Sequence, residues 1–319
     1  MTDPAEPIPF HELAGVSIGH ATAGRSGVTV IRFSRAAPTT VRVLGGASAT
    51  YDLASLALDA TFGRRWAIFL SGGSVYGLDA ARGVREAVLA DGGGSTVFRS
   101  TRRIAPISGA ALFDLPLTTG RLPNYARLGR SATERADRRP FALGRAGAGK
   151  GATVGKYLGR SRAMPGGLGA FARRTRAFGG VGVLVVVNAV GAVVDPRTGS
   201  WIAGAWDDSG RIDPPPALGR DVHSDPGTTL AVVVVEADVD RSTLDRIAAV
   251  AAGGLARAIV PFASAVDGDV VFAASTQAVR RRWRARLPVE AASALGSLAG
   301  RVATEAVLTA FGIDPTTGP

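Results

Sequence analysis

The sequence predicts an α+β (mixed α/β) fold in which stacked sheets are covered by helices, and three observations lead there. Short runs dense in β-branched residues recur along the chain, helical periodicity appears in three places, and the two do not alternate as a parallel βαβ fold requires. Of the 319 residues, 46% are hydrophobic and only 6% aromatic, so the interior is built from Ala, Val, Leu and Ile. A globule of this size buries about three quarters of the surface of its unfolded chain. The length allows one large domain spanning 1–319 or two small ones.

The first strands are GVSIGHA (15–21), GVTVIRF (27–33) and TTVRVLGG (39–46), each ended by glycine or polar residues. WAIFLSGG (66–73) is a strand feeding a glycine turn. It leads into a helix with Leu78, Ala81, Val84 and Val88 on one face and the glycines at 92–94 as its stop. Residues 102–115, containing ISGAALFDL, are β-like, whereas 118–139 are polar, arginine-rich and weakly periodic, which predicts a surface excursion. GRAGAGKGATVGK (144–156) is glycine-rich enough for its backbone to approach another group closely. GGVGVLVVVNAVGAVVD (179–195) reads as buried strands joined by a turn. Residues 208–227 hold Pro214, Pro215 and Pro216, which cannot donate to a ladder, and predict an exposed, extended linker. TLAVVVVEA (229–237) is a strand, after which Asp240 caps a helix with Leu244, Ile247, Ala248, Ala251 and Leu255 on one face. DGDVVFAAST (267–276) is a further strand. A last helix runs from Pro288 to about Phe311, with Leu295, Leu298, Val302 and Ala306 on one stripe.

Several function classes are disfavoured on composition. The chain has no cysteine, so thiolate nucleophiles, disulfides and cysteine-ligated zinc are excluded. Its three histidines, His11, His20 and His223, fit no metal-binding spacing, and neither a metal nor an organic cofactor is expected. A net charge of +11 favours anionic partners in general. The arginine clusters at 102–103, 173–174 and 280–286 nevertheless interleave a single aromatic, Trp283, and read as solvated faces or subunit contacts rather than a nucleic-acid surface. The first residues lack a basic and then apolar leader, and no tract is long and apolar enough for a membrane helix, so a cytoplasmic protein is expected. Ser17 in GVSIG fits a nucleophile-elbow pattern but lies within a strand. GRAGAGK has Gly151 where a phosphate loop needs Ser or Thr.

A hydroxyl can be activated without histidine if the peptide bond before it is cut and the freed α-amine acts as its base. An α-amine titrates near pH 8, leaving an appreciable neutral fraction at working pH. Gly227 before Thr228, the linker 208–227 and the apolar strand after Thr228 meet the needs of that chemistry. Taken alone, the same pattern also describes an ordinary threonine at the start of a strand.

GTTLAVVVVEA, GVSIGHA, GGSVYGLDAARGV, GRAGAGKGATVGK, VVVNAVGAVVDP and DGDVVFA, in this order, resemble the self-processing N-terminal-nucleophile aminohydrolases. These comprise the L-aminopeptidase/D-amidases and β-peptidyl aminopeptidases of peptidase family S58 and the endo-type 6-aminohexanoate (nylon) oligomer hydrolases. The resemblance implies an αββα-like sandwich of helices around stacked sheets, and self-cleavage between Gly227 and Thr228 into a large (1–227) and a small (228–319) subunit. It also implies a tetramer of processed heterodimers, and a small peptide or oligoamide substrate. Thr228 matches the nucleophile, Lys156 the active-site lysine, Asn188 the active-site asparagine, and Asp267 and Asp269 a carboxylate pair seen in the nylon-type branch. Without the resemblance, Lys156 reads as a surface lysine, Asn188 as a turn residue and Asp267-Gly268-Asp269 as a turn. Two carboxylates two apart on a strand would share one face unless Gly268 introduced a bulge. Gly227 follows the aminopeptidase branch, and Phe113 stands where several members carry tyrosine, removing a phenol donor. Phe113 and Tyr76 are candidates to line the substrate pocket. Acyl transfer to an amine through the same nucleophile, or an uncleaved basic scaffold binding nucleic acid, are the alternatives.

Overall fold

In the computed structural model, which describes residues 5–115, 121–215, 225–279 and 287–317, side-chain alternation along the strands fixes the layering. Among the described residues ten strands are hydrogen-bonded together, nine of them along one path: β1 (Glu6–Ile8), β2 (Val16–Ala23), β3 (Ser26–Val43), β4 (Ala49–Tyr51), β5 (Arg64–Ser71), β6 (Ile107–Ala111), β7 (Gly167–Thr175), β8 (Gly179–Asn188), β9 (Thr228–Ala237) and β10 (Val270–Val279). Their order is β1-β7-β8-β9-β10-β3-β5-β6-β4, with β2 also paired to β3. Among the described residues four α-helices accompany them: α1 (Ala80–Ala90), α2 (Tyr125–Glu134), α3 (Arg241–Ala258) and α4 (Val289–Thr309).

β3 is the joint of the molecule. Residues 39–43 pair with β10, while residues 28–32 lie between β2 and β5. The ladder to β5 shifts between Arg32 and Ala37, an irregularity of the kind that lets a strand bend out of one sheet and into another. GVTVIRF and TTVRVLGG are therefore one 18-residue strand, not two.

Val181, Val183 and Val185 of β8 and Val233 and Val235 of β9 face Leu244, Ile247 and Leu255 of α3 and Leu295 and Val302 of α4. Their neighbours Leu184, Val186, Leu230, Val232 and Val234 point the other way, joining Phe272 against Ile31, Phe33, Ile68 and Leu70. On the far side, Val28, Val30, Phe69 and Ile107 pack on Val84 and Val88 of α1 and Tyr125 and Leu128 of α2. The layers are thus helix, sheet, sheet, helix. Strands buried on both faces need no polar side, which explains the unbroken valine runs of β8 and β9.

The predicted helices are present, and Asp240 caps α3 by accepting from Thr243 N at 2.8 Å. The expected surface excursion at 118–139 is corrected over 125–134 by α2. Asn124 Oδ1 accepts from Arg127 N at 2.9 Å to cap it, and Tyr125, Leu128, Gly129 and Ala132 form a buried stripe. The helix sits against α1 so closely that a Cβ at Gly83 would overlap the Ala126 carbonyl.

Two further expectations change. Arg173 is not a solvated-face residue: it is buried and chelates Glu305, with Nη2 2.7 Å from Oε1 and Nε 2.9 Å from Oε2. At its N-terminal end the expected linker contains strand, since Ile212–Asp213 pairs with Ala205–Trp206; at the other end Gly227 is buried. Residues 216–224, with His223, and the arginine run 280–286, with Trp283, lie outside the described residues. Among the described residues, no helix is long and apolar enough to cross a membrane.

Candidate active site

The adjoining ends of three strands assemble the site. β8 and β9 run antiparallel with Asn188 and Thr228 as direct partners, so the last residue of one strand lies beside the first of the next. β9 and β10 run parallel from Leu230 and Val270, and a bridge continues this pairing back to Gly227 and Asp267. Gly268 N donates to Gly227 O at 3.0 Å, and Thr228 Oγ donates to the same oxygen at 2.5 Å. The carbonyl of the Gly227–Thr228 peptide thus carries two donors, one of them the hydroxyl next to it. The glycines are required here, because a Cβ on Gly227 would overlap Asp267 Oδ1.

Asn188 is fully buried and satisfied: Oδ1 accepts from Thr153 N at 2.9 Å, and Nδ2 donates to Phe113 O at 3.2 Å. Lys156, also fully buried, takes Val190 O with its backbone N at 2.8 Å and donates from Nζ to Asn188 O. Burial brings its pKa down to about 7, against the opposing pull of Asp267, while the Arg160 charge lowers it further. This is no surface lysine.

The two aspartates precede β10 rather than lying on it, so alternation along a strand does not describe them. Asp267 Oδ1 accepts from Val190 N at 3.1 Å and its Oδ2 from Ser264 Oγ at 2.5 Å. Asp269 Oδ1 accepts from Thr229 N and its Oδ2 from Ala263 N at 2.8 Å. Burial and the neighbouring Asp267 carboxylate raise the pKa of Asp269. The structure therefore gathers all five sequence-predicted side chains, Thr228, Lys156, Asn188, Asp267 and Asp269, each no more than 3% exposed.

The pocket candidates fare differently. Phe113 contributes its carbonyl to Asn188, and its ring lies 5.5 Å beneath the Arg160 guanidinium. Tyr76 is exposed on the short turn Ser74–Asp79 and does not line the neighbouring cleft. That cleft, about 830 Å³ in volume, is bounded by Ser26, Asp114, Tyr125, Thr153 and Arg160 among others. Sequence reasoning missed the Gly268 and Thr153 N–H donors, since a backbone donor carries no side-chain signature. It also missed Arg160, whose N donates to Asp225 Oδ2 at 2.8 Å. The GRAGAGK loop presents its backbone to the protein, Ala148 N donating to Thr29 Oγ at 3.0 Å. Among the described residues no three His, Asp or Glu side chains cluster to hold a metal ion.

Comparison with known proteins gives the family and the fold. The family model described as peptidase family S58 matches residues 11–317. A 6-aminohexanoate-oligomer endohydrolase of Paenarthrobacter ureafaciens is 33% identical, with 94% of this chain and 84% of that protein covered. An uncharacterized aminopeptidase of Mycobacterium leprae is 32% identical, with 87% and 81% covered. Among solved structures, a Burkholderia sp. β-aminopeptidase superposes with TM-score 0.65 at 21% identity, covering 97% of this chain and 88% of that one. The L-aminopeptidase D-Ala-esterase/amidase of Ochrobactrum anthropi, described as a new variant among the Ntn hydrolase fold, gives 0.66 at 18%, covering 97% and 87%.

Proposed function

Because the chain belongs to peptidase family S58 and is an amide hydrolase of the Ntn-hydrolase fold, we propose that it matures by cutting itself before Thr228 and then uses Thr228 as its nucleophile. The observation that carries this reading is the position of Thr228 Oγ beside the Gly227 carbonyl, whose oxygen already receives Gly268 N–H. In the cut, Oγ gives up its proton and bonds to the Gly227 carbon. The Gly268 N–H stabilises the oxygen as it becomes an anion, as a preorganised donor does. The C–N bond breaks, the nitrogen of Thr228 takes a proton, and water then hydrolyses the Gly227 ester. Lys156, titrating near neutrality, is suited to carry the proton, and Asp269 with its raised pKa is a second carrier.

In the mature enzyme the freed α-amine takes the Oγ proton while Oγ attacks a substrate amide, and water later releases the acyl group. Asn188 and Lys156 fix the strand end beside the nucleophile. The substrates are small peptides, β-peptides or 6-aminohexanoate oligomers, in keeping with the names of the relatives. The processed protein works as a tetramer of heterodimers in the cytoplasm.

Intact-mass analysis beside a Thr228→Ala variant tests the proposal. Two fragments in the parent, the smaller starting at Thr228, and one inactive full-length chain in the variant are expected. A single uncut chain in both, with amide hydrolysis unaffected by the substitution, would overturn it.

A further inference from the structure

The 830 Å³ cleft is joined to the nucleophile through Asn188. Thr153, on the cleft wall, donates its N–H to Asn188 Oδ1, and Phe113, beside the lining residue Asp114, accepts from Asn188 Nδ2. Arg160 closes the same connection, lining the cleft while its backbone N holds Asp225, three residues before Thr228. A molecule in the cleft therefore lies one side chain away from the strand end that carries Thr228.

The cleft has a definite charge. Three arginines, Arg25, Arg121 and Arg160, line it against one acid, Asp114. Asp114 is buried, with Oδ1 accepting from Gly73 N at 2.7 Å; burial raises its pKa, against the Gly73 and Ser26 hydrogen bonds and the Arg160 charge. Arg25 and Arg121 are exposed and form no ion pair among the described residues. Hydroxyls complete the lining: Ser26 Oγ and Tyr125 OH lie 3.0 Å apart, and Thr153 Oγ is buried with no hydrogen-bond partner among the described residues. The unpaired guanidinium groups of Arg25 and Arg121 together with the unpartnered Thr153 hydroxyl match a carboxylate, which accepts from both and forms its strongest hydrogen bonds with arginine.

We propose that this cleft recognises a carboxylate carried by the substrate, so that the enzyme prefers oligoamides ending in a free acid over the same chains with a neutral end. Arg25 and Arg121 draw the carboxylate in, and Arg160 and Thr153 hold it while the amide reaches Thr228. This deepens, and rests on, the assignment of Thr228 as nucleophile.

The test compares hydrolysis of tri-β-alanine with that of its C-terminal carboxamide, in the parent and in Arg121→Gln and Arg25→Gln variants. A hydrogen bond to a charged group contributes roughly 1.5–3 kcal/mol, so kcat/KM for the free acid should exceed that for the carboxamide about 10- to 100-fold. Each variant should raise KM for the free acid several-fold, keep its kcat, and leave the carboxamide unchanged. Equal kcat/KM for the two compounds would overturn the inference, as would a variant that slows both alike. If neither compound is hydrolysed by protein that has been cut before Thr228, carboxylate recognition fails and the nucleophile stands. If the protein is also uncut, both fall together.

Discussion

Asn188 shows how one side chain ties together groups that the sequence keeps far apart. Its amide is committed on both sides, to Thr153 N and Phe113 O, and its carbonyl receives Lys156 Nζ. Asn188→Ala leaves two half-buried backbone groups, Thr153 N and Phe113 O, without this partner, each at a cost of up to about 1–3 kcal/mol. A fall in kcat/KM of about 100-fold, the size that misplacing a reacting group by about 1 Å can cost, is expected from steady-state assays; an unchanged kcat/KM would remove Asn188 from the site. Lys156 makes a separate prediction through pH. In the unfolded chain it stays protonated up to about 10.5, whereas burial brings it to about 7 when folded. Between these values the unfolded chain binds more protons, so this group makes stability rise with pH across that window and fall as pH drops through 7. Urea midpoints at pH 7.5 and 9.5 should differ less in Lys156→Met than in the parent; an identical rise in both would show that Lys156 is not the titrating group. Motif order in the sequence made all five residues legible as candidates. Their contacts were not legible, because Lys156, Asn188 and the aspartates are satisfied largely by backbone groups whose positions follow from tertiary structure.

At the scale of elements, legibility followed the strength of the local signal. The cap at Asp240 and the stripe of α3 are written in side chains, and both are present. Asp240→Ala should lower stability by about 1 kcal/mol in equilibrium unfolding, the ordinary cost of a lost N-cap. α2 was missed because its five buried positions are Tyr125, Leu128, Gly129, Ala132 and Thr133, with arginines at 127 and 130 between them. Gly129 and Ala132 are too small and Thr133 too polar to register as an apolar stripe, yet small residues are what close helix packing demands. Gly83→Val is expected to destabilise by more than the roughly 1–3 kcal/mol typical of overpacking, since the obstacle is the Ala126 backbone and not a movable side chain. A melting temperature equal to the parent's would mean that α1 and α2 can separate freely. Asp267 and Asp269 were misplaced for a related reason. The letters DGD before a valine run read as the start of a strand, but β10 begins at Val270 and the aspartates serve the loop before it.

For the whole molecule, the layered fold was legible in class and not in connectivity. Buried strands and amphipathic helices predict sheets between helices, but nothing local reveals that β3 belongs to both sheets or that β9 and β10 run parallel. The order of strands has a consequence for the life of the protein. β9 lies between β8 and β10, so a cut before Thr228 falls at the head of an interior strand. The piece released at its C-terminal side supplies β9, β10, α3 and α4, while the other supplies the remaining strands of the sheet together with α1 and α2. Two such pieces share one interior and part only when the whole sheet dissolves. Once denatured, they must find each other by diffusion, so recovery becomes second order in protein concentration. Refolding yields measured over a hundredfold dilution should fall for the cut protein and stay level for Thr228→Ala; level yields for both would mean that the fragments fold independently. Under the proposed maturation, a cut at this place would act as a ratchet: the chain would fold unaided once, as a single polypeptide, and then discard the covalent link that made this possible.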